Sequence, residues 1–139
     1  MTRINVIPVK ELMDQHLLAE VREITRLPNN LRTSLNRKSK PFSEAEIPPQ
    51  YVLGTGHVKY FMNKFKWLEK RYLKLLDECE NRGFEITLKD ASIFRNVPQK
   101  FYNDWTVSED AKSLNRQRIN DRINAKPEFY RYYGSKIGE

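Results

Sequence analysis

Apolar residues recur at helical spacing in three parts of the chain, and the longest pattern lies in the middle. It predicts a helix from about Val58 to Arg82, ended by Gly83. The apolar stripe of this helix, in steps of three and four residues, is Phe61, Phe65, Leu68, Tyr72, Leu75 and Cys79. A stripe of this kind indicates a buried core face rather than a cofactor site.

A second pattern lies near the start of the chain. Residues 2–9 predict an extended arm, because Pro8 disfavours helical backbone at the residue before it. From about Lys10 the pattern is helical, with an apolar face of Leu17, Val21 and Ile24. Pro28 is expected to kink or end this helix, and residues 29–40 are expected to resume as helix.

The polar side of the first helix is basic. Gln15, Arg22 and Arg26 share a face, because steps of seven and four residues return to nearly the same angle. Glu23 lies about 100° round the helix from Arg22. A run of charges can simply be a solvated face, and the pattern alone does not decide between that and an anion-binding surface.

The third pattern predicts a helix that follows Ser108, whose hydroxyl can cap it, and that Pro127 bounds. Its predicted apolar face is Ala111, Leu114, Ile119 and Ile123. Arg118 and Arg122 are one turn apart and project together. An aromatic tail follows at residues 129–133. Its rings either dock on the core or contact distorted bases or sugar-phosphate, and different rings can do each.

The remaining segments are interpreted as loops between the helices. Residues 41–55 contain three prolines, and 84–104 has only short apolar pieces, with room for a turn of helix. The run from Gly54 to His57 lacks the Lys-Ser/Thr ending of a phosphate loop and is interpreted as a turn. The expected fold is therefore all-α, one domain over residues 1–139, with three main helices, long loops and an extended N-terminal arm.

Composition narrows the classes of function. The 139 residues are 39% hydrophobic and 31% charged, as in a folded soluble protein, with a formal net charge of +7 that favours a polyanionic partner such as nucleic acid. One cysteine excludes an internal disulfide, and together with two histidines it is a poor ligand set for a closed zinc site. We expect no metal and no cofactor. The absence of a signal-peptide pattern or long apolar run predicts an intracellular protein without a membrane span.

The second residue has its own chemistry. Removal of Met1 would leave a free α-amine on Thr2, and such an amine has a reference pKa of ~7.7–8.0 against ~10.4 for lysine. Beside the carboxylate of Glu23 and among Arg3, Arg22 and Arg26, a neutral amine can attack a sugar carbon and form a Schiff base. From the residues alone, an ordinary frayed terminus remains the alternative.

Several stretches carry a resemblance to a known family. They are Met1-Thr2-Arg3-Ile4-Asn5, Asp14-Gln15-His16-Leu17, Glu20-Val21-Arg22-Glu23, Leu53-Gly54-Thr55-Gly56-His57-Val58, Glu78-Cys79-Glu80-Asn81-Arg82-Gly83-Phe84 and Phe129-Tyr130-Arg131-Tyr132-Tyr133-Gly134. Together they resemble the pyrimidine-dimer DNA glycosylase/AP lyase family, the phage endonuclease V type. The tail departs from it, because Phe129 stands where a Trp is typical.

The resemblance implies a DNA repair enzyme that acts on cyclobutane pyrimidine dimers, and on abasic sites, in double-stranded DNA. Its α-amine, here that of Thr2, would attack the deoxyribose of the 5′ pyrimidine, with Glu23 as the catalytic carboxylate, and β-elimination would follow. The residues that fall on DNA-contacting positions are Arg3, Gln15, His16, Arg22, Arg26, Arg118 and Arg122. A monomer is expected, in the host cytoplasm if the chain is phage-encoded.

Two other functions fit parts of the pattern. A non-enzymatic basic nucleic-acid-binding protein explains the charge equally well. A hydrolase that uses the hydroxyl of Thr2 as nucleophile would explain a small second residue. Trapping of a covalent complex by borohydride separates the first from a glycosylase, and a Thr2→Gly variant separates the second.

Overall fold

Five α-helices carry the fold of residues 4–137, which are the residues that the computed structural model describes. They are α1 (Asp14–Ile24), α2 (Leu27–Leu35), α3 (His57–Tyr60), α4 (Phe65–Asn81) and α5 (Glu109–Ala125). A small antiparallel hairpin follows, with β1 (Arg131–Tyr132) and β2 (Ser135–Lys136) paired as Arg131 with Lys136 and Tyr132 with Ser135. The prediction of an all-α fold is confirmed.

The first helical region begins later than its pattern predicts. Val9–Glu11 form a 3₁₀ turn, and α1 begins only at Asp14. Pro28 ends the first helix as expected, because α1 stops at Ile24 and the proline then lies in the first turn of α2. Proline is tolerated there, since the N–H groups of a first turn have no partner within the helix.

The long central helix is interrupted near its start. After the single turn of α3 the chain breaks, and Lys64 precedes α4 with φ −127° and ψ 38°, outside helical geometry. All six residues of the predicted stripe are nevertheless buried. The end is as predicted: Gly83 has φ +80°, and the N–H of Phe84 donates to the carbonyl of Cys79 at 2.9 Å, which is a Schellman motif.

Helix α5 is capped as its sequence predicts. The hydroxyl of Ser108 accepts a hydrogen bond from the N–H of Ala111 at 3.1 Å, and the helix ends before Pro127. The assignment of Leu114 to the apolar face is wrong, because its exposed fraction is 38%. Asn115, the next residue, is fully buried instead.

The N-terminal arm is part of the hydrophobic core. Ile4, Val6 and Ile7 are buried in the same cluster as the apolar faces of α1 and α4. The described part of the arm is therefore held by packing, and it lies between α1, α4 and α5. In the described part of the chain, none of the helices has both the length and the hydrophobicity needed to cross a bilayer.

Candidate active site and nucleic-acid interface

Asn115 of α5 fastens the buried arm through its side chain. Its amide oxygen accepts hydrogen bonds from the backbone N–H groups of Val6 at 2.7 Å and Ile7 at 3.2 Å. Its amide nitrogen donates to the side-chain oxygen of Asn5 at 2.9 Å. No strand pairs with the arm within residues 4–137, so this side chain supplies two of the backbone contacts that a neighbouring strand would otherwise provide.

A buried ion pair holds the arm from the other side. Arg71 of α4 donates two hydrogen bonds to the carboxylate of Glu20 on α1, at 2.8 and 3.0 Å, and a third to the carbonyl of Ile7. Asn5 also donates to Glu20, at 3.0 Å. Because the side chains of Arg71 and Glu20 are 5% and 0% exposed, breaking this pair would leave a charge without a partner inside the protein.

The first described residue is fixed as well. The N–H of Ile4 donates to Nε2 of His57 at 3.0 Å, and the other ring nitrogen lies 2.8 Å from the carbonyl of Val52. The pair of contacts assigns the hydrogen to Nδ1, so that Nε2 can accept from Ile4. The turn from Gly54 to His57, where Gly54 and Gly56 have positive φ, therefore positions the start of the arm.

A cavity of about 430 Å³ opens beside the arm, between α1, α5 and the tail. Asn5 contributes to it from the arm, and Phe129 and Tyr130 contribute from the tail. The predicted site residues that line it are Gln15, His16, Arg22, Arg118 and Arg122. Five of the nine residues proposed from the sequence thus meet at one cavity, although they come from two helices nearly a hundred positions apart.

The cavity is electropositive. Arg22 and Arg122 are exposed and Arg118 is half-buried, and none of the three forms an ion pair with a carboxylate in residues 4–137. Three unpaired guanidinium groups around an open cavity favour an anion with several oxygens, such as the sugar-phosphate backbone of DNA.

His16 is neutral within this setting. Its ring stacks on Tyr130 with the centroids 4.7 Å apart, and its Nδ1 is buried with no hydrogen-bond partner among the described residues. Burial, followed by the charge of Arg122, lowers the pKa of His16 to about 4. At neutral pH the ring can therefore take part in hydrogen bonding or proton transfer without carrying a charge of its own.

Glu23 lies at the edge of this region rather than inside the cavity. Its carboxylate pairs with Arg26 at 3.0 Å, and the two side chains are 22% and 62% exposed. Arg26 lines a neighbouring cavity, and Arg22 contributes to both. In this structure the carboxylate of Glu23 is therefore held by Arg26.

Gln15 has a role that its sequence position did not reveal. Its amide nitrogen donates to the carbonyl of Phe129 at 2.7 Å, and its amide oxygen accepts from the N–H of Arg131 at 3.0 Å. Both contacts are with backbone of the tail. Gln15 therefore holds the tail against α1 at one wall of the cavity.

The tail is docked by a second, buried cluster. The side chain of Arg82 is fully buried, donates to Asp14 at 3.0 Å and Glu78 at 2.9 Å, and lies 4.9 and 4.7 Å from the ring centroids of Tyr132 and Tyr133. Burial alone would raise the pKa of Glu78, but hydrogen bonds from Tyr133 and Arg82 outweigh it and lower that pKa.

A comparison with known families now decides the class of protein. A family model described as pyrimidine dimer DNA glycosylase matches residues 1–92, two thirds of the chain. The chain belongs to the pyrimidine dimer DNA glycosylase family. DNA is therefore its substrate, and repair of pyrimidine dimers is its class of reaction.

The family match covers only part of the candidate glycosylase site. The matched residues include the arm, α1 and the turn that carries His57. Arg118 and Arg122, with the tail, lie beyond the match, and it is the cavity that connects them to α1. Two residues predicted for the site, Thr2 and Arg3, lie outside the described residues.

The residues that anchor the glycosylase's arm are not identifiable from the sequence alone. Glu20 lies at three-four spacing with Leu17 and Ile24, and Asn115 lies four residues from Ala111 and from Ile119. Polar residues within an apolar stripe are a signal of buried hydrogen-bonding groups. Without partners identified elsewhere in the chain, that signal was not sufficient.

Proposed function

We propose that this glycosylase uses the α-amine of Thr2 as its nucleophile and nicks the DNA afterwards as an AP lyase. The observation that carries the proposal is the electropositive cavity beside the anchored arm. Thr2 precedes Ile4 by two residues, and a segment of that length spans at most ~7 Å. Ile4 and Asn5 hold the start of the described arm next to this cavity, which supports the proposal.

In the first step, the neutral amine attacks C1′ of the 5′ pyrimidine nucleotide of the dimer. The N-glycosidic bond breaks, its electrons go to the base, and the base takes up a proton. The sugar ring then opens, which leaves an iminium ion that joins Thr2 to C1′. Glu23 would stabilise the positive charge that develops on the sugar and move protons during ring opening.

In the second step, a proton leaves C2′ and the 3′ phosphate departs with the electrons of its C–O bond. The iminium ion accepts the electrons of the C–H bond, which is why the amine nucleophile makes β-elimination feasible. Arg22, Arg118 and Arg122 would bind the flanking phosphates. In the structure Glu23 shares its carboxylate with Arg26, and a DNA phosphate that bound Arg26 would release Glu23 for this work.

A pyrimidine dimer presents a distorted duplex rather than a distinct pattern of base edges. The proposed enzyme accordingly recognises deformability, with its guanidinium groups on the backbone. We propose that it acts as a monomer, within the cell, on dimer-containing and abasic DNA.

Borohydride trapping tests the proposal. Incubation with dimer-containing or abasic duplex under borohydride should give a covalent complex, and mass spectrometry of its peptides should place the attachment at Thr2. A Thr2→Gly variant keeps an α-amine and should still form the complex, whereas a hydroxyl nucleophile would be lost. DNA binding without any trapped complex would indicate a non-enzymatic DNA-binding protein instead.

A matched pair of variants tests the carboxylate. Glu23→Gln should retain duplex affinity and lose dimer-glycosylase activity, while Glu80→Gln, an exposed residue of α4, should retain both. Near-normal turnover of Glu23→Gln would remove Glu23 from the mechanism.

A further inference from the structure

A second basic cleft lies on the other side of the buried arm. It encloses about 530 Å³, within the range of roughly 300–1,000 Å³ that is typical of ligand sites. Val6, Pro8 and Val9 of the arm line it, whereas Asn5 lines the candidate active site. The two cavities share no lining residue, so this second cleft, called the tryptophan cleft below, is a separate feature of the protein.

Two indole rings form its wall. Trp67 of α4 and Trp105 of the following loop pack edge to face, with centroids 5.2 Å apart, and both remain partly exposed in the cleft. On their inner sides they contact Phe61 of the core, at 5.5 and 5.9 Å. The rings are therefore fixed by packing, which leaves a rigid aromatic surface at the cleft.

Four lysines surround these rings: Lys10, Lys70, Lys74 and Lys112. The cleft's one acidic lining residue, Asp104, is paired with Lys70 at 2.6 Å. Lys10 and Lys74 are exposed and form no ion pair with any carboxylate in the described part of the chain. The cleft thus combines a positive rim with an aromatic wall.

We propose that the tryptophan cleft binds single-stranded DNA, with unstacked bases against Trp67 and Trp105 and phosphates on Lys10 and Lys74. The combination of a basic groove with aromatic platforms is the one that single strands require, because every base has a π-face and the backbone carries the charge. A duplex keeps its bases stacked on one another and offers these rings only its backbone. The inference does not depend on which group is the nucleophile at the active site.

The protein carries its own reporter for this test. Trp67 and Trp105 are the two tryptophans of the chain, and both line the cleft. Bases that stack on them should quench the intrinsic tryptophan fluorescence, and the full-length protein can be titrated with a short oligothymidylate. The double variant Lys10→Gln/Lys74→Gln removes the unpaired charge without touching the rings or the core.

Two controls separate the cleft from the active site. Lys38→Gln/Lys40→Gln makes the same change of two charges at exposed positions outside the cleft. Arg118→Gln/Arg122→Gln removes two positive charges from the active-site cavity and leaves the residues of the tryptophan cleft unchanged. We expect quenching in the wild type and in both controls, and strongly reduced quenching in the lysine double variant. The slope of log affinity against log salt should become less negative by about 1.4 when two phosphate contacts are lost.

Three outcomes would overturn the proposal. They are an absence of quenching in the wild type, equal quenching by an undamaged duplex of the same length, and quenching that is lost in the arginine variant but kept in the lysine variant. Each can occur whether or not borohydride traps a complex at Thr2, so failure here is distinguishable from failure of the proposed function.

Discussion

Replacing Asn115 with alanine would detach the arm from α5. The substitution removes an acceptor for the N–H groups of Val6 and Ile7 and the donor to Asn5, all of them buried. Each buried group left without a partner costs about 1 kcal/mol or more, so we expect the free energy of unfolding to fall by about 3 kcal/mol. A domain of this size remains folded after such a loss, because total stability is about 5–15 kcal/mol.

Urea denaturation measures this loss, and Asn120→Ala is the matched control. Asn120 lies on the same helix and is exposed, so its replacement should change stability by no more than about 0.5 kcal/mol. The loss of imine trapping in Asn115→Ala should be larger than its loss of stability explains. At a temperature where Asn115→Ala is fully folded, imine trapping should slow much more than duplex affinity falls, since Arg22, Arg118 and Arg122 do not lie on the arm.

Equal stability of Asn115→Ala and Asn120→Ala would show that the hydrogen bonds to the arm contribute nothing. Unchanged trapping by a measurably destabilised Asn115→Ala would show that arm anchoring and amine placement are independent. Either result would contradict the role proposed for Asn115 in anchoring the arm.

Three further predictions concern titration and buried charge. His16 has a pKa of about 4 when folded against 6.5 in the unfolded chain, so stability should fall as the pH drops from about 6.5 to 4; the effect is at most about 3 kcal/mol, and about half that after its partial exposure is considered. His16→Phe should remove this pH dependence from urea denaturation curves, and its persistence would contradict the assignment. Glu20→Gln should destabilise the protein by about 3 kcal/mol because Arg71 would be left charged without an anion, whereas exposed Glu44→Gln should not. Burial lowers the pKa of Lys64 to about 8, so limiting acylation at neutral pH should label Lys64 ahead of exposed Lys38, as peptide mass spectrometry would show; equal labelling would contradict that pKa.

The helices follow from the sequence because their determinants are local. The apolar stripe of α4, the cap at Ser108 and the stop at Gly83 each depend on residues within a few positions of one another. The break in the helix before α4 also depends on a residue that is distant in sequence. Lys64 donates to the carbonyl of Tyr60 and lies over its ring at 3.9 Å. Trp105, which is distant in sequence, packs against the same ring.

In the candidate site, too, some features have local determinants and others have long-range ones. Helix periodicity places Arg118 beside Arg122 and Arg22 beside Arg26, and a resemblance assigns all four to DNA. The meeting of the two helices at one cavity depends on Asn115, Arg71 and His57, whose partners on the arm and α1 lie 51 to 110 positions away in sequence. Local patterns contain no information about such pairs, which is why the anchoring of the arm emerged only from the structure.

The proposed amine nucleophile is tested most directly by mass spectrometry of peptides from the borohydride-trapped complex with abasic DNA. If the α-amine of Thr2 is the nucleophile, the complex carries a single deoxyribose adduct on that amine, with Met1 removed. An adduct on a lysine side chain, with the α-amine of Thr2 unmodified, would contradict it.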